Sequence, residues 1–186
     1  TKEGGMANLG TLGGDDSYAH AVNSDGSVVG GRSLMADGRQ HAFIWKASTG
    51  MRVLADLDLN ASESAATGVS DDGSVVVGNR KVGGVFEGFL WSEAGGFQRI
   101  PEVTPFAVSG DGSTVVGLSA QRAIRWTASS GVVDLGTFGG WITEAFDVSR
   151  DGSIVVGGGA LTSGHTRAFY WTCLLYTSPS PRDRTR

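Results

Sequence analysis

The amino-acid sequence predicts an all-β fold, a β-propeller fragment of about four four-stranded blades. Three observations support this prediction: a turn motif that recurs four times, a tryptophan at a fixed place in every repeat, and abundant glycine. The chain has 186 residues, of which 30 are glycine and only 18% are charged. Such a composition is typical of a β protein with many tight turns.

The turn motif places an Asp-Gly pair between two β-type runs, and residues 69–78 are its clearest copy. An Asp-Gly pair in this setting is the strongest short-range signal for a β-hairpin, and it predicts a type I′ turn with positive φ at both residues. Successive copies lie 47, 39 and 40 residues apart, so the chain is a repeat protein. The four turn aspartates are Asp25, Asp72, Asp111 and Asp151.

Each repeat contains four short β-type segments: a run into the turn, a valine-rich run after it, a run that ends on tryptophan, and a run after a Gly-containing turn. In residues 43–45 and 75–77 every neighbour is hydrophobic, although neighbouring side chains of a strand point to opposite faces. Such strands must be covered on both faces, as they are in a propeller blade. A β-solenoid is the alternative architecture.

The repeats form one predicted domain, residues 1–172, and residues 173–186 are predicted to be a non-native tail. The tail resembles the conceptual translation of a sequencing adapter, so we expect it to have no regular structure and to pack against nothing. The units are expected at about 1–14 (partial), 15–57, 58–103, 104–138 and 139–172 (incomplete). We also expect an open arc of units, in which residues 6–9 do not pair with residues 169–171.

Three sequence words recur in a fixed order: Ser-x-Asp-Gly-Ser-x-Val-Val-Gly, then His-Ala-Phe-x-Trp, then Asp-Leu-Gly-Thr-Leu/Phe-Gly-Gly. Residues 41–43 carry the His-Ala-Phe word intact, and residues 134–140 carry the third word. On these words, residues 1–172 resemble the bacterial HAF-type extracellular repeat family. The resemblance implies a secreted or cell-surface bacterial protein, often the passenger of an autotransporter, and it implies no established enzymatic activity.

Charge, cysteine content and hydropathy argue against several function classes. The formal net charge is −4 and the basic residues form no stripe, which disfavours a nucleic-acid partner. No apolar run approaches the roughly eighteen residues of a membrane-spanning helix. The one cysteine lies in the tail, so the repeats predict no disulfide, thiol nucleophile or cysteine-based metal site. We expect a monomer with no cofactor.

Several residues that could carry chemistry have a structural interpretation that we favour. The Asp-Gly turns lack the spaced ligands and final Glu of a calcium-binding loop. His41 is replaced by other polar residues in the other units, which is typical of a solvated strand start, and His20 occupies a predicted packing position. Four of the five tryptophans share one repeat position and are predicted to fill the core between units; Trp141 is the exception.

In a blade, the loops between the second and third strands and the linkers between units lie at one end of the sheets. These loops vary in length and sequence, whereas the Asp-Gly turns at the opposite end are short and uniform. Variable loops on a rigid scaffold are where binding residues concentrate. The candidate ligand-binding residues at this end, including Trp141 in a predicted linker, are Arg32, Asp37, Arg39, Arg80, Lys81, Phe86 and Trp141.

We therefore predict a binding or adhesion module outside the cell or at its surface, not an enzyme, with an unidentified protein or glycan as its ligand. The alternative is a propeller enzyme acting on glycans, with its site on the central channel or on blades outside this chain. Such an enzyme needs a pair of carboxylates at a defined separation. The innermost segments supply few acids beyond Glu63, Glu144 and Asp147, and these are not placed alike.

Overall fold

The computed structural model describes residues 5–54 and 61–173, and within these ranges the chain forms fifteen β-strands and no helix. In the described ranges, therefore, no helix is long and apolar enough to cross a membrane. The all-β prediction is confirmed. The strands are β1 (Gly13–Val22), β2 (Val28–Met35), β3 (Gln40–Lys46), β4 (Gly50–Val53), β5 (Glu63–Val69), β6 (Val75–Val82), β7 (Val85–Ser92), β8 (Gly96–Ile100), β9 (Thr104–Val108), β10 (Thr114–Ser119), β11 (Arg122–Thr127), β12 (Gly131–Asp134), β13 (Gly139–Val148), β14 (Ile154–Leu161) and β15 (Thr166–Thr172).

The strands form four successive units, each built as an antiparallel meander. Unit 1 contains β1 to β4, unit 2 contains β5 to β8, unit 3 contains β9 to β12, and unit 4 contains β13 to β15. Within a unit, each strand pairs with the next one along the chain. One parallel bridge, between Gln40 and Glu63, joins the sheets of units 1 and 2.

The hydrophobic core is divided among the contacts between neighbouring units. Three buried clusters lie between units 1 and 2, between units 2 and 3, and between units 3 and 4. Representative members of these clusters are, in that order, Leu54 with Phe89, Ile100 with Trp126, and Val116 with Val155. Units 2 and 3 are thus covered on both faces, as their doubly apolar strands require.

The first strands of the units lie side by side and are linked through one repeat position. The His20 ring nitrogen Nδ1 lies 3.0 Å from the Ala66 carbonyl oxygen, and the Thr67 hydroxyl donates to the Pro105 carbonyl at 3.0 Å. At the same position of units 3 and 4, the rings of Phe106 and Phe146 stack with centroids 6.3 Å apart. His20 thus contacts the first strand of unit 2, but the residue is exposed rather than packed in a core.

Three of the four repeated tryptophans lie in the contacts between units. Trp91 and Trp126 are buried, each against the preceding unit. Trp171 is half-buried against unit 3, in a unit that has no fourth strand among the described residues. Trp45 is also half-buried and belongs to none of the three clusters, because no described unit precedes unit 1.

The Asp-Gly turns differ from the predicted type I′ geometry. Among the described residues, the non-glycine residues with positive φ are Glu102, Ala120 and Gln121, so none of the turn aspartates has the required positive φ. Each turn is a longer loop instead: the Gly73 N–H donates to the Ser70 carbonyl at 2.9 Å, and only Gly73 is left-handed, at φ +71°. The side chains of the motif account for the difference, because they bond the loop internally.

The same turns are joined from unit to unit by backbone hydrogen bonds. The Ser24 N–H donates to the Asp71 carbonyl at 3.2 Å, and the Asp71 N–H donates to the Gly110 carbonyl at 2.9 Å. The ladder continues from the Asp111 N–H to the Arg150 carbonyl at 2.9 Å. An ion pair between Arg150 and Asp71, 3.0 Å apart, spans unit 3 across this ladder.

The two ends of the row remain apart. Residues 5–11 form no strand, and among the described residues β15 pairs only with β14. This arrangement agrees with the expected open arc. Cys173 is free and exposed, and its N–H donates to the Ser153 carbonyl at 2.9 Å; the rest of the predicted tail, residues 174–186, lies outside the described residues.

Candidate binding surface

The strand register places the second-to-third hairpins of all four units at one end of the molecule, which we call the hairpin end. There the start of each first strand meets the end of each second strand, as in the pairs Glu63 with Lys81 and Gly139 with Leu161. The Asp-Gly turns lie at the opposite end, which we call the turn end. The predicted division of loops between two ends is therefore present.

The long variable loops of the prediction are mostly strands. In unit 2 the expected loop over residues 79–86 is a tight turn at Gly83 and Gly84 between β6 and β7, and both glycines have positive φ. In unit 1 only residues 36–39 lie between β2 and β3. The hydrogen bonds between the two strands of each hairpin continue to its tip, because strand pairing satisfies backbone N–H and C=O groups that would otherwise bond only to water.

The three candidate residues of unit 1 occupy two different settings. Arg32 lies on β2, with its guanidinium 4.9 Å from the centre of the Tyr18 ring, in a cleft of about 100 Å³. Asp37 and Arg39 lie in the exposed turn, where the Asp37 carboxylate accepts the Arg39 N–H at 2.9 Å and lies 3.6 Å from its guanidinium. This last pair is solvated and contributes little to stability.

Arg80, one of the predicted ligand-binding residues, is buried on a strand and is not part of an exposed loop. It lies on β6 and is only 6% exposed. Its guanidinium forms an ion pair with the buried Glu87 and lies 4.2 Å from the centre of the Phe97 ring. Glu87 also pairs with Arg99. Arg80 is therefore part of a buried charge network that holds β6, β7 and β8 together.

The tip of the β6–β7 hairpin presents apolar side chains to solvent. Val85 is 68% exposed and Phe86 is 52% exposed. The Lys81 ammonium lies 5.3 Å from the centre of the Phe86 ring and 3.2 Å from the Glu63 carboxylate. Lys81 and Phe86 thus lie together at the hairpin end, as predicted, on strands rather than on a loop.

Trp141 lies on β13, not in a linker, and it is 69% exposed. β13 starts at the position equivalent to the start of β1, so Trp141 replaces Asp15 of unit 1. A large aromatic side chain is thereby held with most of its surface in water, at an irregular position of β13 between the paired residues Gly139 and Thr143. It is the most exposed aromatic side chain of the hairpin end among the residues that the structure describes.

A cleft of about 450 Å³ lies along the edge of β15 that has no strand partner among the described residues, and no sequence prediction includes it. Among the described residues, unit 4 has no fourth strand beside β15. Aromatic side chains and a glycine-rich linker form its walls. The lining residues are Leu135, Gly136, Thr137, Phe138, Thr143, Ala168, Phe169, Tyr170 and Trp171.

The turn end carries the most strongly perturbed carboxylates. The Ser74 N–H and then the Ser70 hydroxyl, both hydrogen-bonded to Asp72, lower the pKa of that carboxyl to about 2. The Ser149 hydroxyl, followed by the Ser153 N–H, lowers the pKa of Asp151 to about 2. These carboxylates bond their own turns, and the described residues contain no group of three or more His, Cys, Asp or Glu side chains suited to a metal ion.

Comparison with known proteins identifies a similarity of fold only. No family model and no curated protein matches the chain. The structure of TolB from Acinetobacter baumannii is similar, with a TM-score of 0.64 and 17% identity over 85% of this chain and 41% of that one. A putative TolB from Agrobacterium tumefaciens has a TM-score of 0.59 and 16% identity over 83% of this chain and 61% of that one. The chain thus spans less than two thirds of either TolB, and its all-β fold is one also found in these β-propeller-containing proteins.

Proposed function

We propose that the chain is part of a β-propeller of HAF-type repeats that serves as a binding or adhesion module outside a bacterial cell or at its surface. The propeller assignment is supported by the four similar units packed face to face and by the similarity to the TolB structures. The location is supported by the resemblance of the repeat words to HAF-type repeats. Within this assignment the module is a passenger that binds a protein or a glycan, not an enzyme.

The observation that carries the binding function is the exposed aromatic content of the hairpin end. Phe86 and Trp141 are 52% and 69% exposed, and neither has an aromatic counterpart in the same place of every unit. Aromatic side chains supply a large contact area at a low cost in conformational entropy, and they dominate the energy of interfaces. Phe86 lies opposite Lys81 in a paired hairpin, and Trp141 lies on β13 between the paired residues Gly139 and Thr143, so little further ordering is needed on binding.

Two of the carboxylates near this end, those of Glu63 and Glu87, are engaged in ion pairs. Glu63 lies 3.2 Å from the Lys81 ammonium, and Glu87 is buried between Arg80 and Arg99. A glycosidase needs one carboxyl group as a proton donor and a second one at a defined separation. The pairing of these groups with cations supports a binding role over hydrolysis.

The test measures binding of labelled protein to intact bacterial cells and to a printed glycan array. We expect saturable binding that the double variant Phe86→Ala and Trp141→Ala weakens by at least tenfold, about 1.4 kcal/mol. Val132→Ala is the matched control, because Val132 is 47% exposed and lies on β12 near the turn end. Protease treatment of the cells separates a protein ligand from a glycan.

Two results would overturn the proposal. One is the absence of saturable binding to both the cells and the array. The other is equal binding by the double variant and the native chain, which would remove the hairpin end as the site. Thermal unfolding of each variant shows whether the fold is intact, and these exposed side chains are expected to change the unfolding midpoint little.

A further inference from the structure

Arg32 is a cation that has no counter-charge in the described part of the chain. Its side chain is half-buried on β2, and its Nε atom is buried without a hydrogen-bond partner among the described residues. The guanidinium lies 4.9 Å from the centre of the Tyr18 ring. A contact with a ring face leaves the N–H groups without an acceptor, and a buried donor without an acceptor destabilises the folded chain.

The repeat shows that the fold does not require this cation. Arg32 is paired with Tyr18 at a position that the chain builds four times. None of the other units has a cation at the position of Arg32, although each keeps the same strand pairing. The pairs there are Ala65 with Asn79, Thr104 with Leu118, and Glu144 with Gly158. A role in folding would be common to the units, so the arginine of unit 1 needs another explanation.

The cleft around Arg32 lies on the face of unit 1 that is turned toward unit 2. Gly30 and Arg32 point to the same face of β2, and a Cβ on Gly30 would lie 3.4 Å from Cβ of Ala66 and 3.0 Å from Cγ2 of Val69. Ala42, which pairs with Arg32, belongs to the buried cluster between these two units. The cleft therefore lies within the row of units, beside a described neighbour.

The walls of the cleft combine hydrogen-bonding groups with an aromatic ring. The Asp16 carboxylate can only accept hydrogen bonds when ionised, the Gln40 amide both donates and accepts, and the Tyr18 ring is 53% exposed. Pockets that enclose a whole small molecule have about 300–1,000 Å³. This cleft has about 100 Å³, so it fits one charged group of a ligand with the polar groups beside it. Its lining residues are Asp16, Tyr18, Arg32, Ser33, Leu34 and Gln40.

These side chains set two conditions on a ligand. The guanidinium fork of Arg32 matches a carboxylate, which accepts two parallel N–H bonds and satisfies the buried Nε. Asp16 disfavours a second anionic group nearby and favours hydroxyl donors. An acidic peptide carries adjacent negative charges and few hydroxyl groups. An acidic sugar carries one carboxylate per ring with hydroxyl groups beside it, and it meets both conditions.

We propose that the cleft binds one hexuronic acid residue of a glycan. The Arg32 Nε and a terminal guanidinium nitrogen donate to the two carboxylate oxygens, Asp16 and Gln40 bond hydroxyl groups of the sugar, and the Tyr18 ring contacts its apolar surface. The cleft is then the part of the proposed binding module that selects an acidic glycan rather than a protein, and its role rests on that proposed function.

The cleft adjoins the exposed surface of unit 2. Gln40 forms the parallel bridge to Glu63, and the Glu63 carboxylate lies 3.2 Å from the Lys81 ammonium. The same ammonium lies 5.3 Å from the centre of the Phe86 ring. Further residues of a glycan held at Arg32 therefore extend toward the aromatic surface of the hairpin end.

The test uses sugar oligomers with and without the charge. The probes are trimers of galacturonate, glucuronate, mannuronate and guluronate, each compared with its methyl ester, which keeps the ring and the hydroxyl groups. By calorimetric titration of the native chain, we expect saturable binding of at least one acid. Its methyl ester should bind more weakly by about tenfold or more, because it offers no carboxylate to the guanidinium.

Variants of Arg32 test the assignment of that residue. Arg32→Gln should lower the affinity for the acid by about tenfold or more and should no longer distinguish the acid from its ester. Arg32→Lys keeps the charge without the fork and should bind with intermediate affinity. Arg52→Gln is the matched control, because Arg52 is an exposed arginine on β4, which pairs only with β3. Thermal midpoints with and without the acid show ligand stabilisation even in a variant of lower stability.

The outcomes separate this assignment from the binding function as a whole. Binding to cells or to the glycan array without binding to any of the acids would overturn the role of the cleft and leave the binding function in place. Equal affinities for acid and ester, native affinity in Arg32→Gln, or an equal loss in Arg52→Gln would do the same. A chain that binds neither the acids nor the cells nor the array would overturn both proposals.

Discussion

At the scale of single residues, the turn motif works as a set of side-chain hydrogen bonds to its own backbone. The Asp72 carboxylate accepts the Ser74 N–H at 2.9 Å and the Ser70 hydroxyl at 2.7 Å, and the Ser70 oxygen accepts the Val75 N–H at 3.0 Å. Serine and aspartate are thus selected as acceptors for N–H groups that a five-residue loop leaves without strand partners. The first serine is as much a part of the turn as the Asp-Gly pair.

Substitution of the turn glycine separates backbone strain from steric conflict. Gly26 and Gly73 have φ of +75° and +71°, but a Cβ on Gly26 meets open space, whereas one on Gly73 would lie 2.5 Å from Cγ2 of Val28. We expect Gly26→Ala to cost about 1 kcal/mol of unfolding free energy and Gly73→Ala or Gly73→Val about 2 kcal/mol or more. Denaturant unfolding measures both; equal losses at the two positions would contradict the steric part.

The turn carboxylates make stability depend on acid. Hydrogen bonds lower the pKa of Asp72 and Asp151 to about 2 in the folded chain, below the ordinary value of 3.8. The ionised forms therefore stabilise the fold fully above pH about 4, and this contribution is lost as the pH falls toward 2. We expect the thermal midpoint to fall over this range. In the double variant Asp72→Asn and Asp151→Asn, the thermal midpoint should fall less between about pH 4 and about pH 2. An unchanged dependence of the midpoint on pH would exclude these two carboxylates as the cause.

The charge network of unit 2 predicts unequal costs for its members. Glu87 is 7% exposed and pairs with the buried Arg80, whereas the Arg99 side chain is 60% exposed. Glu87→Gln removes a buried negative charge that pairs with the Arg80 guanidinium and should cost about 3 kcal/mol or more. Arg99→Ala removes a solvated partner and should cost about 1 kcal/mol or less. Chemical denaturation of the two variants compares them directly; equal losses would mean that burial does not set the energy.

At the scale of elements, hairpin length is the property that varies from unit to unit. β6 and β7 extend to a tight turn at Gly83 and Gly84, so Lys81 and Phe86 are carried out on a paired ribbon. β10 and β11 are shorter and turn at Ala120 and Gln121, both with positive φ. Residues at the hairpin end are therefore positioned by strand register, which alternates them between the two faces of the ribbon.

The sequence predicts the elements well and their ends less well. Four copies of the Asp-Gly motif and of the tryptophan position are enough to locate four strands per unit, because hydrophobic period and turn residues agree. The tips of the hairpins were missed, although the glycine pair between Val82 and Val85 is itself a hairpin signal. The burial of Arg80 depends on Glu87 and Phe97, which come from two further strands, and no local pattern records that contact.

One substitution between units shows how such distant contacts act. The position of Ala42 and Ala123 is Gly88 in unit 2, where a Cβ would lie 2.7 Å from the Val103 carbonyl oxygen and 2.8 Å from Cδ of Pro105. At the other two boundaries a small hydroxyl residue accepts the equivalent N–H. Ser64 accepts the Ala42 N–H at 2.9 Å, and Thr143 accepts the Ala123 N–H at 3.0 Å. The glycine follows from the bulkier start of unit 3, a dependence between residues that are fifteen or more positions apart.

At the scale of the whole molecule, packing is strongest in the middle of the row and weakest at its ends. Units 2 and 3 contribute to two buried clusters each, whereas units 1 and 4 contribute to one. Stability in such a row is close to a sum over units and the contacts between neighbours. Local unfolding of units 1 and 4 consequently disrupts fewer buried contacts than local unfolding of units 2 and 3.

Hydrogen exchange should reveal this gradient. We expect the slowest amide exchange in β6 and β10, which are central strands of doubly covered units, and the fastest in β1 and β15. Uniform protection across the four units would show that the row opens only as a whole.

The backbone ladder at the turn end has a consequence for how such chains can change in length. The Ser24 N–H bonds the Asp71 carbonyl, the Asp71 N–H bonds the Gly110 carbonyl, and the Asp111 N–H bonds the Arg150 carbonyl, so unlike residues are joined through main-chain atoms. Neighbouring units that are aligned by main-chain hydrogen bonds do not need particular side chains at the contact between their turns. Duplication or exchange of a whole unit therefore preserves the joint on both sides, and the hairpin carried by that unit is free to diverge afterwards. A gene segment that encodes one repeat of about forty residues is therefore a unit whose duplication can add a new surface to this architecture.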